Sequence, residues 1–499
     1  MKLREVLAGA SVRELSGDDG TEVSGLAYDS RRVEPGTLFF CVRGERADGH
    51  DFAPKAVADG ASALVVERPV EDLDVPQAVV ADARAAMAPA AVAFYRDPTA
   101  ELRVVGITGT NGKTTTAFLV RHILEATGTT TGQLGTVKQV VGGAEAEVER
   151  TTPEAIDLQR TFREMLDAGD RACAMEVSSH ALALRRADRV RFAVATFTNL
   201  TQDHLDFHAG MDDYFAAKRI LFAGTPEPPG AAVVNTDDRY GAGLAEDLRG
   251  SEPGLRTFSA TGQRADYAAL GVTFDAAGSR FRCVAPDGEH EVELPLPGHF
   301  NVENALAAIA SVASLGVVTA EAAAALAGAA LVPGRMEPVA EGQPFGVLVD
   351  YAHTPDSLEN VLRAARRITE GRVICVFGAG GDRDREKRPL MGAAVARLAD
   401  LAIVTSDNPR SEEPGAIVAQ ILEGVRAPES AAEIRSEVDR RAAIAAALAL
   451  AGPTDTVVIA GKGHEQGQEF EGGRKIPFDD RLVASEELRS LLGSPAGPA

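Results

Sequence analysis

Short apolar runs alternate along the chain with longer stretches whose apolar residues recur at helical spacing, the pattern of repeated strand–helix units. Near the N-terminus, residues 25–28, 38–42, 63–67 and 78–80 read as strands, with helical runs near 53–59 and 83–95. A second series opens with the apolar run 102–107, a glycine-rich turn and an amphipathic run from Thr115 to Thr127 stopped by Gly128. Strands follow at 171–177, 192–198 and 231–234, with a helix over 211–222. Residues 272–295 read as hairpins turning at Ala277-Gly278 and Asp287-Gly288, and an alanine-rich tract over 305–330 as close-packed helix. A third series places strands at 347–351, 373–377, 401–405 and 456–460. Pro98-Thr99 and Pro333-Gly334 punctuate the pattern, so three α/β domains are expected, at 1–100, 101–333 and 334–499. The length of 499 residues agrees with about three domains at roughly 150 residues each.

Composition narrows the class. With 45% hydrophobic residues the chain can fill packed cores, and a formal net charge of −22 argues against nucleic acid or an anionic membrane as partner. Cys41, Cys173, Cys283 and Cys375 stand singly in apolar runs without metal or disulfide spacing, as expected of buried thiols in a reducing cytoplasm. No run approaches the roughly 20 apolar residues of a membrane span, and no signal-peptide pattern opens the chain. A soluble cytoplasmic protein is expected.

The candidate chemistry begins at Gly106-Ile107-Thr108-Gly109-Thr110-Asn111-Gly112-Lys113-Thr114-Thr115, between a strand and a helix. Glycines there let backbone N–H groups approach phosphate oxygens, Lys113 can reach a terminal phosphate, and the Thr114 hydroxyl suits Mg²⁺. The spacing departs from the common phosphate-loop pattern, because Ile107 stands where a glycine is usual. Glu176 closes a strand beside this loop, where a second metal ligand is wanted, though a structural glutamate fits as well. Asn199 to His208 packs His204, His208, Asp203 and Asp206 into one loop, either a metal site or a polar strand end. Tyr28-Asp29-Ser30-Arg31-Arg32 and Asp48-Gly49-His50-Asp51 read as polar turns, and Lys218 as an ordinary helix lysine. In the third series, the four strands end in Ala352-His353, Gly378 to Asp384, Ser406 to Arg410 and Gly461 to Glu465. Four polar clusters in succession at carboxyl ends of strands mark the ligand edge of an open parallel sheet.

This constellation resembles the Mur ligase family, ATP-dependent amide-forming enzymes that build the peptide stem of the bacterial cell wall. The likeness runs over essentially the whole chain, and the loop from Gly106 to Thr115 looks like that family's own phosphate loop. It implies an α/β fold of three domains: a central P-loop ATPase-like parallel-sheet domain, an N-terminal nucleotide-sugar-binding domain and a C-terminal Rossmann-like domain. It further implies ATP held by Gly109 to Thr115 with Asn301, Asn304, Arg335 and Asp350, and Mg²⁺ held by Thr114, Glu176, His204 and Lys218. Lys218 aligns with a lysine that CO₂ converts to a carbamate in this family. Lys113, Glu176, His204 and Lys218 are thereby the implied catalytic set. Motif order looks most like the members that add diaminopimelate to UDP-N-acetylmuramoyl-L-alanyl-D-glutamate. For these, Ser30, Thr151, Thr152, Ser178 and Arg186 would contact the nucleotide sugar, while Leu184 stands where many relatives carry glutamine. Arg383, Asp407, Asn408, Pro409, Arg410, Gly461 and Glu465 would contact diaminopimelate, whose second carboxylate Arg410 can clamp bidentately. Lysine addition, another ligase of the superfamily and a nucleotide-binding scaffold without catalysis are the rival readings. Small-molecule substrates and a monomer are expected.

Overall fold

A computed structural model describes residues 1–44, 47–148, 150–224, 227–250, 254–425 and 432–493. Strands among these residues form three large sheets and one two-stranded ribbon. The first sheet runs in the spatial order Val12–Ser16, Gln77–Val80, Ala63–Val66, Thr37–Phe40, Gly25–Ala27, parallel except for the first strand. Its inner strands are nearly continuous apolar runs because helices cover both faces. The strand Val12–Ser16 was absent from the sequence pattern for a physical reason: it is an edge strand, half-solvated along its length, with no apolar run to announce it.

The second sheet has eleven strands. Its centre places Arg103–Thr108 between Ala172–Glu176 and Phe192–Phe197, all parallel, with Glu176 opposite Ile107 and an irregularity in the other pairing between Phe192 and Val194. Antiparallel ribbons close both ends, Tyr267–Asp275, Gly278–Ala285 and Gly288–Leu294 at one and Gln139–Val141 with Ala144–Ala146 at the other. The helices Lys113–Ala126 and His299–Ser314 cover one face, and Ala155–Asp167, Met211–Ala223 and Arg239–Leu248 the other. Gly106 has a packing reason: a Cβ there would meet the Phe192 ring at 2.5 Å. The alanine tract is not one helix. It stops after Ser314, turns through Gly316 at φ 94°, and resumes at Thr319–Ala325.

The third sheet has the order Glu337–Pro338, Gly346–Asp350, Thr456–Ala460, Val373–Phe377, Leu401–Val404, Glu433–Ser436, parallel apart from the two-residue edge strand. The four strands with polar ends are therefore adjacent, and their clusters share one sheet edge. That edge faces the phosphate loop, where Asn111 Nδ2 donates to Asp356 Oδ2 at 2.8 Å and Lys387 Nζ to Asp203 Oδ1 at 3.0 Å. On the other side, Tyr28 of the first unit donates to Asp157 Oδ2 at 2.6 Å, and Arg84 pairs with Glu154 at 2.8 Å. The four cysteines are buried free thiols. Among the described residues no helix is long and apolar enough to cross a membrane.

Candidate active site

One cavity of about 790 Å³ lies between the phosphate loop and the ligand edge of the third sheet. It falls within the size range of small-molecule sites. The loop supplies its floor. Gly112, at φ 88°, precedes Lys113 at the first position of the helix, so the helix N-terminus and its unpaired N–H groups point into the cavity. Thr198 Oγ1 donates to Asn111 O at 2.6 Å and Asn111 N to Asn199 Oδ1 at 2.9 Å, which fixes the loop before any ligand arrives. Lys113 Nζ folds back onto Gly109 O at 3.0 Å and Thr110 O at 2.8 Å. Burial pushes its pKa below that of a free lysine, against the pull of Glu176 and Asp203.

Glu176 is buried beside Thr114. Its Oε2 accepts from Thr114 Oγ1 at 3.0 Å and Thr136 Oγ1 at 3.1 Å, while Oε1 accepts from Thr136 N at 2.7 Å. Arg335 Nη2, from the third unit, donates to Thr114 Oγ1 at 3.1 Å. A carboxylate and a hydroxyl side by side under a phosphate loop are the hard oxygen donors that Mg²⁺ takes together with phosphate and water. Among the described residues no group of three His, Cys, Asp or Glu could hold a metal by itself. The fit is thus to an ion shared with a bound polyphosphate.

Lys218 is only 1% exposed, a figure that overturns its reading as a solvated helix residue. Its Nζ donates to Gly109 O at 2.7 Å and lies 4.5 Å from the centre of the Tyr214 ring, with no carboxylate partner among the described residues. Burial, then the like charge of Lys113, holds its pKa well below the usual lysine value. A neutral amine is the form that adds CO₂, and the resulting carbamate would be an oxygen ligand. His204, in a left-handed backbone conformation at φ 57°, lies edge-on to His180 at 4.8 Å and 3.5 Å from Asp203 Oδ2. Burial keeps His204 neutral far below the usual imidazole range, and pushes His180 down to about 4. The loop from Asn199 to His208 therefore divides. Asp203, His204 and Asp206 line the cavity, whereas His208 is packed, bonded to Ser179 Oγ at 2.9 Å and stacked on Tyr214.

Thr151, Thr152, Ser178 and Arg186 line the same cavity, with Thr152 Oγ1 donating to Glu176 O at 2.9 Å and accepting from Ser178 N at 3.2 Å. Arg186 is held by Glu154 at 3.0 Å. Leu184 is half-buried and does not line the cavity. Ser30 does not reach it either, lying in the turn Ser30–Arg32 of the first unit. Asn304 lines the cavity, but Asn301 is buried behind it, donating to Pro297 O at 2.8 Å and accepting from Asn304 Nδ2 at 3.2 Å. Asp350 accepts from Met336 N and Ala352 N, and burial raises its pKa against the pull of Arg335.

The third-sheet residues fall into two groups. Arg383 opens into the cavity. Asp407, Asn408, Pro409, Arg410, Gly461 and Glu465 form a cluster alongside, linked to the cavity by Tyr351, whose hydroxyl is 3.5 Å from Glu465 Oε1. Arg410, at φ 52°, gives Nε to Glu469 Oε2 at 3.1 Å and Nη1 to Gly381 O at 2.7 Å, and among the described residues Nη2 makes no hydrogen bond and could meet a ligand. Glu465 Oε2 accepts from Asn408 Nδ2 at 2.8 Å and Lys462 Nζ at 3.0 Å. The turn around His50 is structural: the buried ring sits between Asp48 at 2.6 Å and Glu67 N at 3.0 Å.

Sequence reasoning passed over Thr136, Tyr351 and Lys387, and placed His353 and Lys462 in the strand-end clusters without giving either a role of its own. Thr136 and Lys387 lie in stretches without any distinguishing spacing, and Tyr351 reads as the last residue of a strand.

Three family models cover the chain in succession: the Mur ligase family catalytic domain at residues 22–101, the Mur ligase middle domain at 107–312, and the Mur ligase glutamate ligase domain at 334–463. The chain belongs to the Mur ligase family. It is 48% identical over 486 residues to the UDP-N-acetylmuramoyl-L-alanyl-D-glutamate–2,6-diaminopimelate ligase of Streptomyces coelicolor, covering 95% of this chain and 94% of that one. The ligase of the same name from Alkaliphilus metalliredigens is 44% identical over 490 residues, with 97% of each chain covered. A solved structure of a ligase of that name matches with a TM-score of 0.68 at 30% identity over 99% of both chains. This Mur ligase thus shares the three-domain α/β architecture of the family.

Proposed function

We propose that this Mur ligase joins 2,6-diaminopimelate to the D-glutamyl γ-carboxylate of UDP-N-acetylmuramoyl-L-alanyl-D-glutamate at the expense of ATP, as a cytoplasmic monomer making a cell-wall precursor. The observation that carries this reading is the single cavity in which the phosphate loop, Glu176, the Thr151–Arg186 group and Arg383 meet. A free carboxylate is a poor acyl donor because its oxygen leaves badly. In the proposed course the γ-carboxylate oxygen attacks the γ-phosphorus of ATP, the bond to the β–γ bridging oxygen breaks, and ADP leaves an acyl phosphate behind. The amine of diaminopimelate then adds to the acyl carbon, loses a proton, and the carbon–oxygen bond to phosphate breaks.

The chain's own part is charge neutralisation and alignment. Lys113 and the helix N-terminus offset the γ-phosphate charge that would otherwise repel the carboxylate. Arg335 ties the third unit to Thr114, bringing the amine side to the phosphate side. Asn304, Asn301 and Asp350 belong to the nucleotide end, and Thr151, Thr152, Ser178 and Arg186 to the nucleotide-sugar end, with Ser30 farther out. Thr114 and Glu176 would hold Mg²⁺, with His204 and a carbamate of Lys218 as the further expected ligands, and the bound ion would screen the same charges. Arg410 Nη2 and Arg383 would take the distal carboxylate of diaminopimelate, and Glu465 an ammonium, on the platform formed by Asp407, Asn408, Pro409 and Gly461.

An ADP-release assay that needs the nucleotide sugar and diaminopimelate together tests the reaction. Release indifferent to both would leave only a nucleotide-binding scaffold. Arg410→Ala removes a charge-assisted contact worth about 1.5–3 kcal/mol, so kcat/KM for diaminopimelate should fall roughly 10- to 150-fold. Lysine, which lacks the second carboxylate, should be used no worse. Undiminished use of diaminopimelate by that variant would refute the clamp.

A further inference from the structure

Two of the loops just described stand on strands that are not neighbours. Leu401–Val404 leads into Asp407–Arg410 and Thr456–Ala460 into Gly461–Glu465, with Val373–Phe377 between them in the sheet. Their carboxyl ends are thus about two strand spacings apart, near 9.5 Å, and no ladder hydrogen bond sets the distance between them. Near the ligand edge they are tied by Lys462, which bridges Asn408 Oδ1 at 2.9 Å and Glu465 Oε2 at 3.0 Å, and by Asn408 Nδ2, which donates to Glu465 Oε2 at 2.8 Å. They are tied also through the strand after Glu465, where Gln468 Nε2 donates to Asp407 O at 2.7 Å and Glu469 N to Asn408 Oδ1 at 3.0 Å. The contacts that run through Glu465 Oε2 use an oxygen an incoming ammonium would compete for, so they hold the spacing less firmly once substrate is bound.

A further tie lies beneath. Arg440, fully buried at the start of the helix Arg440–Leu450, donates Nη1 to Ser406 O at 3.3 Å and Nη2 to Ala460 O at 3.0 Å, one carbonyl at each strand end. Asp407 Oδ2 lies 4.0 Å from its Nη1. The guanidinium is held from behind by Asp480, itself fully buried, through Nε at 2.8 Å and Nη2 at 2.6 Å. Asp480 begins the helix Asp480–Leu491, so the fork is anchored to a different element from either loop. A planar fork with five fixed donors can span two carbonyls and a carboxylate at once; an ammonium on a flexible stem cannot.

Resting on the reading of these loops as the amine site, we infer that Arg440, braced by Asp480, is a positioning residue for amine selection. It fixes the separation between Arg410 and Glu465, so that the enzyme reads the distance between the carboxylate and the ammonium of its amine substrate. It touches no substrate and has no part in nucleotide binding.

The test is steady-state kinetics with ATP, UDP-N-acetylmuramoyl-L-alanyl-D-glutamate and 2,6-diaminopimelate, each varied in turn, for the wild type, Arg440→Lys and Asp480→Asn; the meso and LL isomers are assayed separately and the better substrate is carried forward. The wild type is measured first: if it makes no product with diaminopimelate, the reading of the site has failed, independently of Arg440. Given wild-type activity, Arg440→Lys should raise KM for diaminopimelate at least 10-fold and lower the preference for diaminopimelate over lysine. KM for ATP and for the nucleotide sugar should stay within 2-fold, and kcat at saturating amine within about 3-fold. Asp480→Asn keeps the shape, removes the brace, and should shift the same constant alone, by less. Diaminopimelate KM unchanged in either folded variant, or all three KM values rising together, overturns the inference. Failure of both variants to fold overturns it too, since the pair would then serve the fold alone.

Discussion

Lys218 has no room to remain an ordinary lysine. An ammonium with almost no exposed surface and, among the described residues, no carboxylate in contact loses its hydration for little in return, and the like charge of Lys113 adds to that cost, so the pKa of Lys218 lies well below that of a free lysine. The sign of the consequence follows. The unfolded chain holds the Lys218 proton up to about pH 10.4 and the native one gives it up at lower pH, so this site weakens the fold below that value and the penalty fades as pH rises toward it. Lys218→Met should therefore unfold at an equal or higher denaturant concentration than the wild type at pH 7, while kcat falls at least about 100-fold. A variant that is plainly less stable would mean that the bond to Gly109 O is worth more than the buried amine costs. Little in the sequence could reveal this. The groups that make Lys218 unusual are a carbonyl 109 positions away and a tyrosine one turn earlier, and on the helix itself the residue is one more cation.

The helix Lys387–Leu398 opens with two buried cations that act in opposite directions. Lys387 reaches out to Asp203, whereas Arg388 turns inward to Glu412, bidentate at 2.8 and 2.9 Å, and also holds Gly380 O at 3.0 Å. Arg388 thus joins the loop that carries Arg383 to the segment after Arg410. The Arg388 hydrogen bonds hold the Glu412 carboxyl down at about 2, against a usual 4.5. Its contribution is complete above pH 4.5 and is lost as pH falls toward 2, and the shift corresponds to about 3 kcal/mol. Glu412→Gln should be less stable than the wild type by up to that amount at pH 7, and the gap should shrink by more than half at pH 3 in denaturant titrations. A gap independent of pH would show that the carboxylate's charge is not what matters. At this scale the sequence was most readable where strands are buried on both faces, as at Val373–Phe377, and least where they are edges. Ala144–Ala146 is exposed throughout, and Val12–Ser16 carries three polar residues to two apolar ones. Glu176 was findable because the end of a central strand beside a phosphate loop is a position a pattern can locate. Glu469, which occupies the Nε edge of Arg410, sits on a three-residue strand that no periodicity marks.

Among the described residues, the polar contacts that close the second and third sheets onto each other include Asn111 to Asp356, Gln202 to Asp384, Arg335 to Thr114, and Lys387 to Asp203. Only the last is an ion pair buried on both sides, with Asp203 flanked further by His353 at 3.7 Å. Breaking one half of such a pair leaves a buried charge that seeks water, at a cost of about 3–5 kcal/mol. The closed arrangement is the one that would bear that cost, because opening solvates Asp203 directly. Closure matters chemically since an acyl phosphate is hydrolysed by any water that reaches it, and the cavity is walled by both sheets. Lys387→Met should therefore do more than slow the reaction: it should uncouple it. In the wild type, phosphate released per amide formed should be near one. In the variant the ratio should rise well above one, as acyl phosphate made in an imperfectly closed cleft is lost to water before the amine arrives, and the radius of gyration in solution with bound ATP should increase. A lower rate with the ratio still at one would mean that Lys387 aids assembly of the site without guarding its intermediate, and that the seal lies with Asn111 and Arg335.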